Sequence, residues 1–152
     1  MNTQSKVLNE AKRASFHLGL RCRFDGKLKP WQKYGIEFLM GGIGYGLLEV
    51  IWRGRTHWSM IAAGGISLVA VLYINKKMKY HSIFLRASLG AVFITAVEFL
   101  TGIIVNEVFH MNVWNYDKLP GNVMGQICPL YSAIWFCICF LICISARKKE
   151  NN

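Results

Sequence analysis

At 152 residues the chain has room for one domain and little more. Hydrophobic residues make up 53% of it and charged residues 17%, below the ~25% usual in soluble domains, and this argues against a soluble globular protein. The formal charge of +10 lies at the margins of long apolar runs, with no aromatic-interleaved basic surface, so it does not point to nucleic acid.

Residues 1–33 read as a basic cytoplasmic or membrane-proximal tail. Within it Phe16, Leu18, Leu20, Cys22 and Phe24 alternate with His17, Gly19, Arg21 and Arg23, a strand-like period followed by the turn pair Asp25-Gly26. The preferred reading is a segment that supplies topology charge; the alternative is an apolar stripe lying on an anionic leaflet. The first apolar run begins too late for a secretory signal, and no small-residue cleavage site follows it.

Residues 34–146 read as a transmembrane domain. A bilayer core of ~30 Å needs about 20 mostly apolar residues per helix. Four segments qualify: about Tyr34 to Trp52, Ser59 to Asn75, Ser82 to Phe109, and Gln126 to Ala146. Residues 147–152 form a second basic tail that opens with Arg147-Lys148-Lys149. Orientation follows from the Lys and Arg flanking the spans. Eight precede the first span, Lys76, Lys77, Lys79 and Arg86 surround the second connection, and three follow the last span. The other side carries only Arg53, Arg55 and Lys118. The expected fold is therefore all-α, with four transmembrane helices and both termini cytoplasmic.

The first and third spans share words. Glu37-Phe38-Leu39-Met40-Gly41 recurs as Glu98-Phe99-Leu100-Thr101-Gly102, and Leu48-Glu49-Val50-Ile51 is echoed by Asn106-Glu107-Val108-Phe109. This predicts two repeated helical hairpins related by an axis along the membrane normal.

Charged residues within the spans are the natural site candidates. An ionised carboxylate at the bilayer centre costs at least ~2.5–3.5 kcal/mol on insertion scales, so Glu98 must face protein, water or a cation, or be protonated. Glu37, Glu98 and Arg86 are candidates for an intramembrane cation or proton site; the alternative is that they satisfy one another and fix helix pairing. Gly42, Gly46 and Glu49 share a face, since seven residues at ~100° make nearly two turns. Gly42-x-x-x-Gly46 has close-packing spacing, and Arg53 lies four residues beyond Glu49, within pairing reach. Glu98 and Gly102 share a face with Thr95, whereas Glu107 is expected to point the opposite way, towards an outer vestibule. The outer connections hold Trp114, Tyr116 and Asp117 close to Asn106. They are candidates for a substrate lip, with an interfacial aromatic belt and a turn as the preferred reading.

The five cysteines form no CxxC pair and no zinc spacing. No cofactor or metal motif is present, and no nucleophile–base pair is apparent in sequence. Enzymatic activity is therefore not expected, and a membrane-embedded enzyme, with His57 and His110 meeting across the two outer connections, is the least favoured alternative.

The chain resembles the ABC-transporter type IV (CmpB-like permease) family of bacterial membrane proteins over roughly Tyr34 to Phe140. The carriers are Glu49-x-x-Trp52-Arg53-Gly54, Thr56-His57-Trp58-Ser59-Met60 with Gly64-Gly65, and Glu98-Phe99-x-Thr101-Gly102. To these are added Asn106, Trp114-x-Tyr116-Asp117, Leu119-Pro120 and Asn122-x-x-Gly125-Gln126-Ile127-Cys128. Where many relatives read Trp-Asp-Tyr-Ser, this chain has Trp114-Asn115-Tyr116-Asp117, which moves the carboxylate by two positions. The resemblance implies a multispan transport component. With no GxxxxGK[ST] in the chain, any ATPase would be a separate subunit. Four helices enclose little volume, so a permease-like role implies a homo-oligomer or partner membrane subunits. The alternative is an accessory or scaffold protein that transports nothing.

Overall fold

The computed structural model describes residues 29–150. The strand-like stretch from Phe16 to Phe24 lies outside them. The described residues are all-helical, without a strand, and four helices are long and apolar enough to cross a membrane.

Each helix begins and ends where local chemistry requires. α1 (Pro30–Arg53) has proline at its first position, where the missing N–H costs nothing. It stops at Gly54, whose φ of 72° and bond from its N–H to the Val50 carbonyl at 2.8 Å make a left-handed cap. α2 (Trp58–Lys77) starts beneath His57, whose Nδ1 accepts from the Ser59 N–H, and ends with Lys76 and Lys77 in its last turn. Those cations suit the negative end of the helix dipole. α3 (Ile83–Gly102) is capped by Ser82, whose Oγ accepts from the Leu85 N–H at 3.2 Å. α4 (Pro129–Glu150) again opens on proline.

α3 does not simply continue to Phe109. At Gly102 the chain passes into a π-helical segment, Ile103–Val108, and the Phe109 N–H bonds the Ile104 carbonyl five residues back at 3.0 Å. With uniform α-helical steps Asn106 would sit about 80° round the helix from Glu98. The wider π turn delays the phase instead, and Glu98, Gly102, Val105 and Asn106 are all buried.

Packing is built from small residues. In lipid the helices gain little by hiding apolar surface from one another, so close van der Waals approach must hold them. Gly41 and Gly42 lie against the α2 backbone, where an added Cβ would come within 2.5 Å of the Gly64 carbonyl and 2.7 Å of the Ile61 carbonyl. Gly46 faces Ile61 as well. Between α3, α4 and α2, Gly90 sits 3.0 Å (as a virtual Cβ) from Cys139 Sγ and 3.3 Å from Val71. Around it Ala87, Ala91, Ile94, Trp135, Cys139 and Cys143 complete the main core. A second core of Met60, Trp114, Tyr116 and Cys128 closes the end that carries the long connection 109–128. Large apolar side chains such as Leu39, Ile43, Leu47 and Ile51 point outward on α1, as a lipid-facing surface requires.

Gly41→Val puts branched methyls into the α2 backbone, whereas Gly44→Ala meets nothing within 4 Å. The first is expected to lower stability by about 1–3 kcal/mol, the usual size for overpacking, and the second to leave it unchanged or slightly raised. Thermal unfolding of the two variants in detergent checks this.

Candidate functional site

Residues 109–128 do not form a loose outer connection. They fold back over the ends of α2, α3 and α4, and two amides hold them there. Asn106 Nδ2 donates to the Trp114 carbonyl at 3.0 Å and to Gln126 Oε1 at 2.7 Å, while its Oδ1 accepts from the Val113 N–H at 2.7 Å. Gln126 completes the knot: its backbone carbonyl accepts from Trp114 Nε1 at 3.0 Å, and its Nε2 donates to Glu107 Oε1 at 3.2 Å and to the Met124 carbonyl at 3.0 Å. Gly102 makes room beneath, since a Cβ there would meet Gln126 Oε1 at 2.5 Å. Buried amides left unbonded cost about 1–3 kcal/mol each, so this mutual satisfaction fixes the loop to the π segment.

The rest of the loop is a turn system. The Asp117 N–H donates to Asn115 Oδ1 at 2.6 Å, and Asn115 Nδ2 donates to Asp117 Oδ2 at 2.7 Å. Asn122 Nδ2 donates to the carbonyls of Asp117 and Leu119, and its Oδ1 accepts from the Gly125 N–H. Gly125 has a φ of 66° and packs against Asp117, a place for glycine alone on both counts. Asp117 is therefore engaged in shaping the turn and is exposed on its outer side.

What the loop covers is Glu98. Its carboxylate is 4% exposed. Oε1 accepts from the Tyr116 hydroxyl at 3.1 Å, and Oε2 from Trp135 Nε1 at 2.9 Å. Indole N–H is only a donor, so Oε2 is permanently occupied. Hydrogen bonds to a charged group contribute about 1.5–3 kcal/mol each, and two of them are comparable to the insertion cost of a carboxylate at ~2.5–3.5 kcal/mol. Glu98 is tolerated because both donors reach it. Among the described residues no Lys or Arg lies within ion-pair distance of it.

Aromatic rings enclose these donors. Tyr45 of α1 stacks on Trp135 with centroids 5.3 Å apart, and Tyr131 of α4 stacks on Tyr116 at 4.6 Å. Above this box Arg53 lies over the Tyr116 ring, 5.5 Å from its centroid. Arg53 also pairs with Glu49 at 3.5 Å, and Glu49 accepts from the Thr56 hydroxyl at 2.7 Å. Trp52 Nε1 donates to the Tyr131 hydroxyl at 3.0 Å. The C-terminal end of α1 is thereby tied to both the loop and α4.

Of the residues singled out from sequence, the structure brings Glu98, Tyr116, Glu49 and Arg53 into one network, with Asn106, Trp114, Gly102 and Glu107 in the knot next to it. Glu107 is exposed and accepts from Gln126. Glu37 is half-buried on α1, away from this end. Arg86 is fully buried at the opposite end of α3. Trp135, Tyr45, Tyr131 and Gln126 escaped notice as site residues. A lone indole donor inside the apolar run of α4 was the available signal for Trp135. Among the described residues no group of His, Cys, Asp and Glu converges to hold a metal ion. An apolar groove of about 520 Å³ runs between α3 and α4 past Thr95 and Ser132, whose hydroxyls bond to each other at 3.2 Å.

Burial pushes the Tyr116 phenol well above its ordinary range, and the neighbouring Glu98 adds to the rise. A phenol whose folded-state value is raised contributes stability below its unfolded value of about 10 and loses it as pH rises beyond that point. Wild-type protein is expected to lose loop structure above about pH 10 more steeply than Tyr116→Phe, read by intrinsic tryptophan fluorescence; identical alkaline profiles would contradict the assignment.

A family model described as "Putative ABC-transporter type IV" matches residues 50–149. Glu98, the π segment, the knot and all but the last residue of α4 fall inside the matched span, whereas Glu37, Gly42, Gly46 and Glu49 precede it. No curated protein and no solved structure matches the chain.

Proposed function

Since the chain belongs to the ABC-transporter type IV family and carries four membrane-crossing helices, we propose that it is a permease-like component of a transport system and not an enzyme. It acts as an oligomer or with partner membrane subunits in the cytoplasmic membrane, both termini on the cytoplasmic side. The sequence holds no GxxxxGK[ST], so ATP hydrolysis, where it drives the system, belongs to a separate subunit. The echo between the first and third spans fits two duplicated hairpins, a common architecture among transporters.

One observation carries the proposal: Glu98, 4% exposed in the membrane-crossing part of α3, has its carboxylate held by two neutral donors, with no cation among the described residues within ion-pair distance. An ionisable group placed at such a depth is by default a functional one. Glu98 is the point where a cationic solute or proton is held, and Tyr116 links that point to the outer loop. Movement of the loop would remove one of the two donors and open the carboxylate to an incoming cation.

A second reading is an accessory protein that stabilises a larger complex. The Asn106–Gln126 knot favours it, because an end sealed by so many satisfied amides resembles a plug more than a gate.

Glu98→Gln separates the two. Cells expressing the variant at wild-type membrane levels are expected to lose roughly tenfold or more of their uptake of one member of a cation panel, the effect of losing a contact of ~1.4 kcal/mol. Equal uptake by wild type, variant and deletion strain, with a larger complex falling apart in the deletion, would establish the scaffold instead.

A further inference from the structure

At the opposite end of the bundle stands a second buried charge that the carboxylate network does not use. Arg86, in the first turn of α3, is 1% exposed. Its one bond is long: Nη1 donates to the backbone carbonyl of Asn75, in the last part of α2, at 3.5 Å. That contact meets the negative end of α2, but it uses a single N–H. Among the described residues Nε and Nη2 have no partner, and neither has the side-chain Oδ1 of Asn75. The amide orientation is fixed, because Asn75 Nδ2 donates to the Val71 carbonyl at 3.0 Å.

A guanidinium cannot shed its proton to escape burial, and a buried charge lacking a partner is strongly unfavourable. Among the described residues no carboxylate lies within ion-pair distance of Arg86. The free groups have a definite shape. Nε and Nη2 form one planar edge of the guanidinium, whose two parallel N–H bonds match two oxygens of a phosphate or carboxylate. The adjacent Oδ1 calls for a donor. One ligand that answers both is an oxyanion that also carries a hydroxyl.

We infer that Arg86 and Asn75 form a binding site for a hydroxyl-bearing phosphate, either inorganic phosphate or the headgroup of an anionic lipid such as phosphatidylglycerol. Lys76 and Lys77 are exposed on the adjoining turn of α2 and raise the local anion concentration. The positive end of α3, a 20-residue helix, points the same way. The fork is enclosed, Arg86 being 1% exposed, so the side chains over it part on binding.

The test is thermal unfolding of the full-length protein in phosphate-free buffer. Inorganic phosphate is added to nanodiscs of phosphatidylcholine, or phosphatidylglycerol is included in the discs, with chloride at equal ionic strength as control. The wild-type midpoint is expected to rise with one of the two sources, and the source that raises it identifies the ligand. Arg86→Gln is expected to lose the rise. Asn75→Asp supplies an anion from within and is expected to raise the midpoint without ligand while abolishing the response, which decides the matter if Arg86→Gln does not fold. A wild-type midpoint unmoved by both sources, or the same response in Asn75→Asp, would overturn the site.

Discussion

A carboxylate inside a membrane-crossing bundle has to be enclosed by donors, and much of this structure can be traced to how Glu98 meets that demand. One donor, Trp135, comes from α4 and ties the two most closely packed helices together. The other, Tyr116, comes from the connection 109–128, which can deliver it only if the loop is folded inward. That folding rests in turn on Asn106 and Gln126, whose amides satisfy each other and the loop backbone. Asn106 reaches them because the π segment after Gly102 turns it inward. The sequence of dependence thus runs from a charge in a low-dielectric interior to an irregular helix and an ordered loop.

The helices themselves are held differently. Their interfaces are lined by Gly41, Gly42, Gly46, Gly64 and Gly90, with Ala87, Ala91 and two buried cysteines, so backbones approach closely and dispersion contacts accumulate. Many bulky apolar residues face outward, while Met60, Ile94 and Trp135 are among those kept inside. Few polar groups lie inside, and the two buried charges stand towards opposite ends: Glu98 and its aromatic box under the loop, Arg86 with Asn75 by the basic turn.

Much of this was legible in the sequence. Apolar runs of hydrocarbon length locate all four helices to within a few residues, because bilayer thickness and helical rise leave little freedom. The cost argument directs Glu98 inward, and Gly42 with Gly46 at close-packing spacing lies where α1 meets α2. Other features were beyond it. Periodicity assumes 100° per residue and so cannot see the π segment that turns Asn106 into the interior. The pairing of Asn106 with Gln126 spans 20 residues, and that of Glu98 with Trp135 spans 37; a lone indole in an apolar run marks Trp135 as a donor but not which acceptor it meets. Trp114, Tyr116 and Asp117 read alike as belt or lip, yet two are buried and one shapes an exposed turn. Arg86 reads from sequence both as a topology charge and as a companion of Glu37 and Glu98, whereas its guanidinium is buried within the bundle at the end of α3 away from Glu98.

The contact on which the rest depends is the one by which the loop holds the carboxylate. A double-mutant cycle between Glu98→Gln and Tyr116→Phe, measured by unfolding in lipid nanodiscs, reads that coupling directly. Groups in contact couple by about 0.5–3 kcal/mol, and a value in that range is predicted. Additive effects of the two substitutions would mean that Tyr116 does not reach Glu98, and that the outer loop and the buried charge are independent.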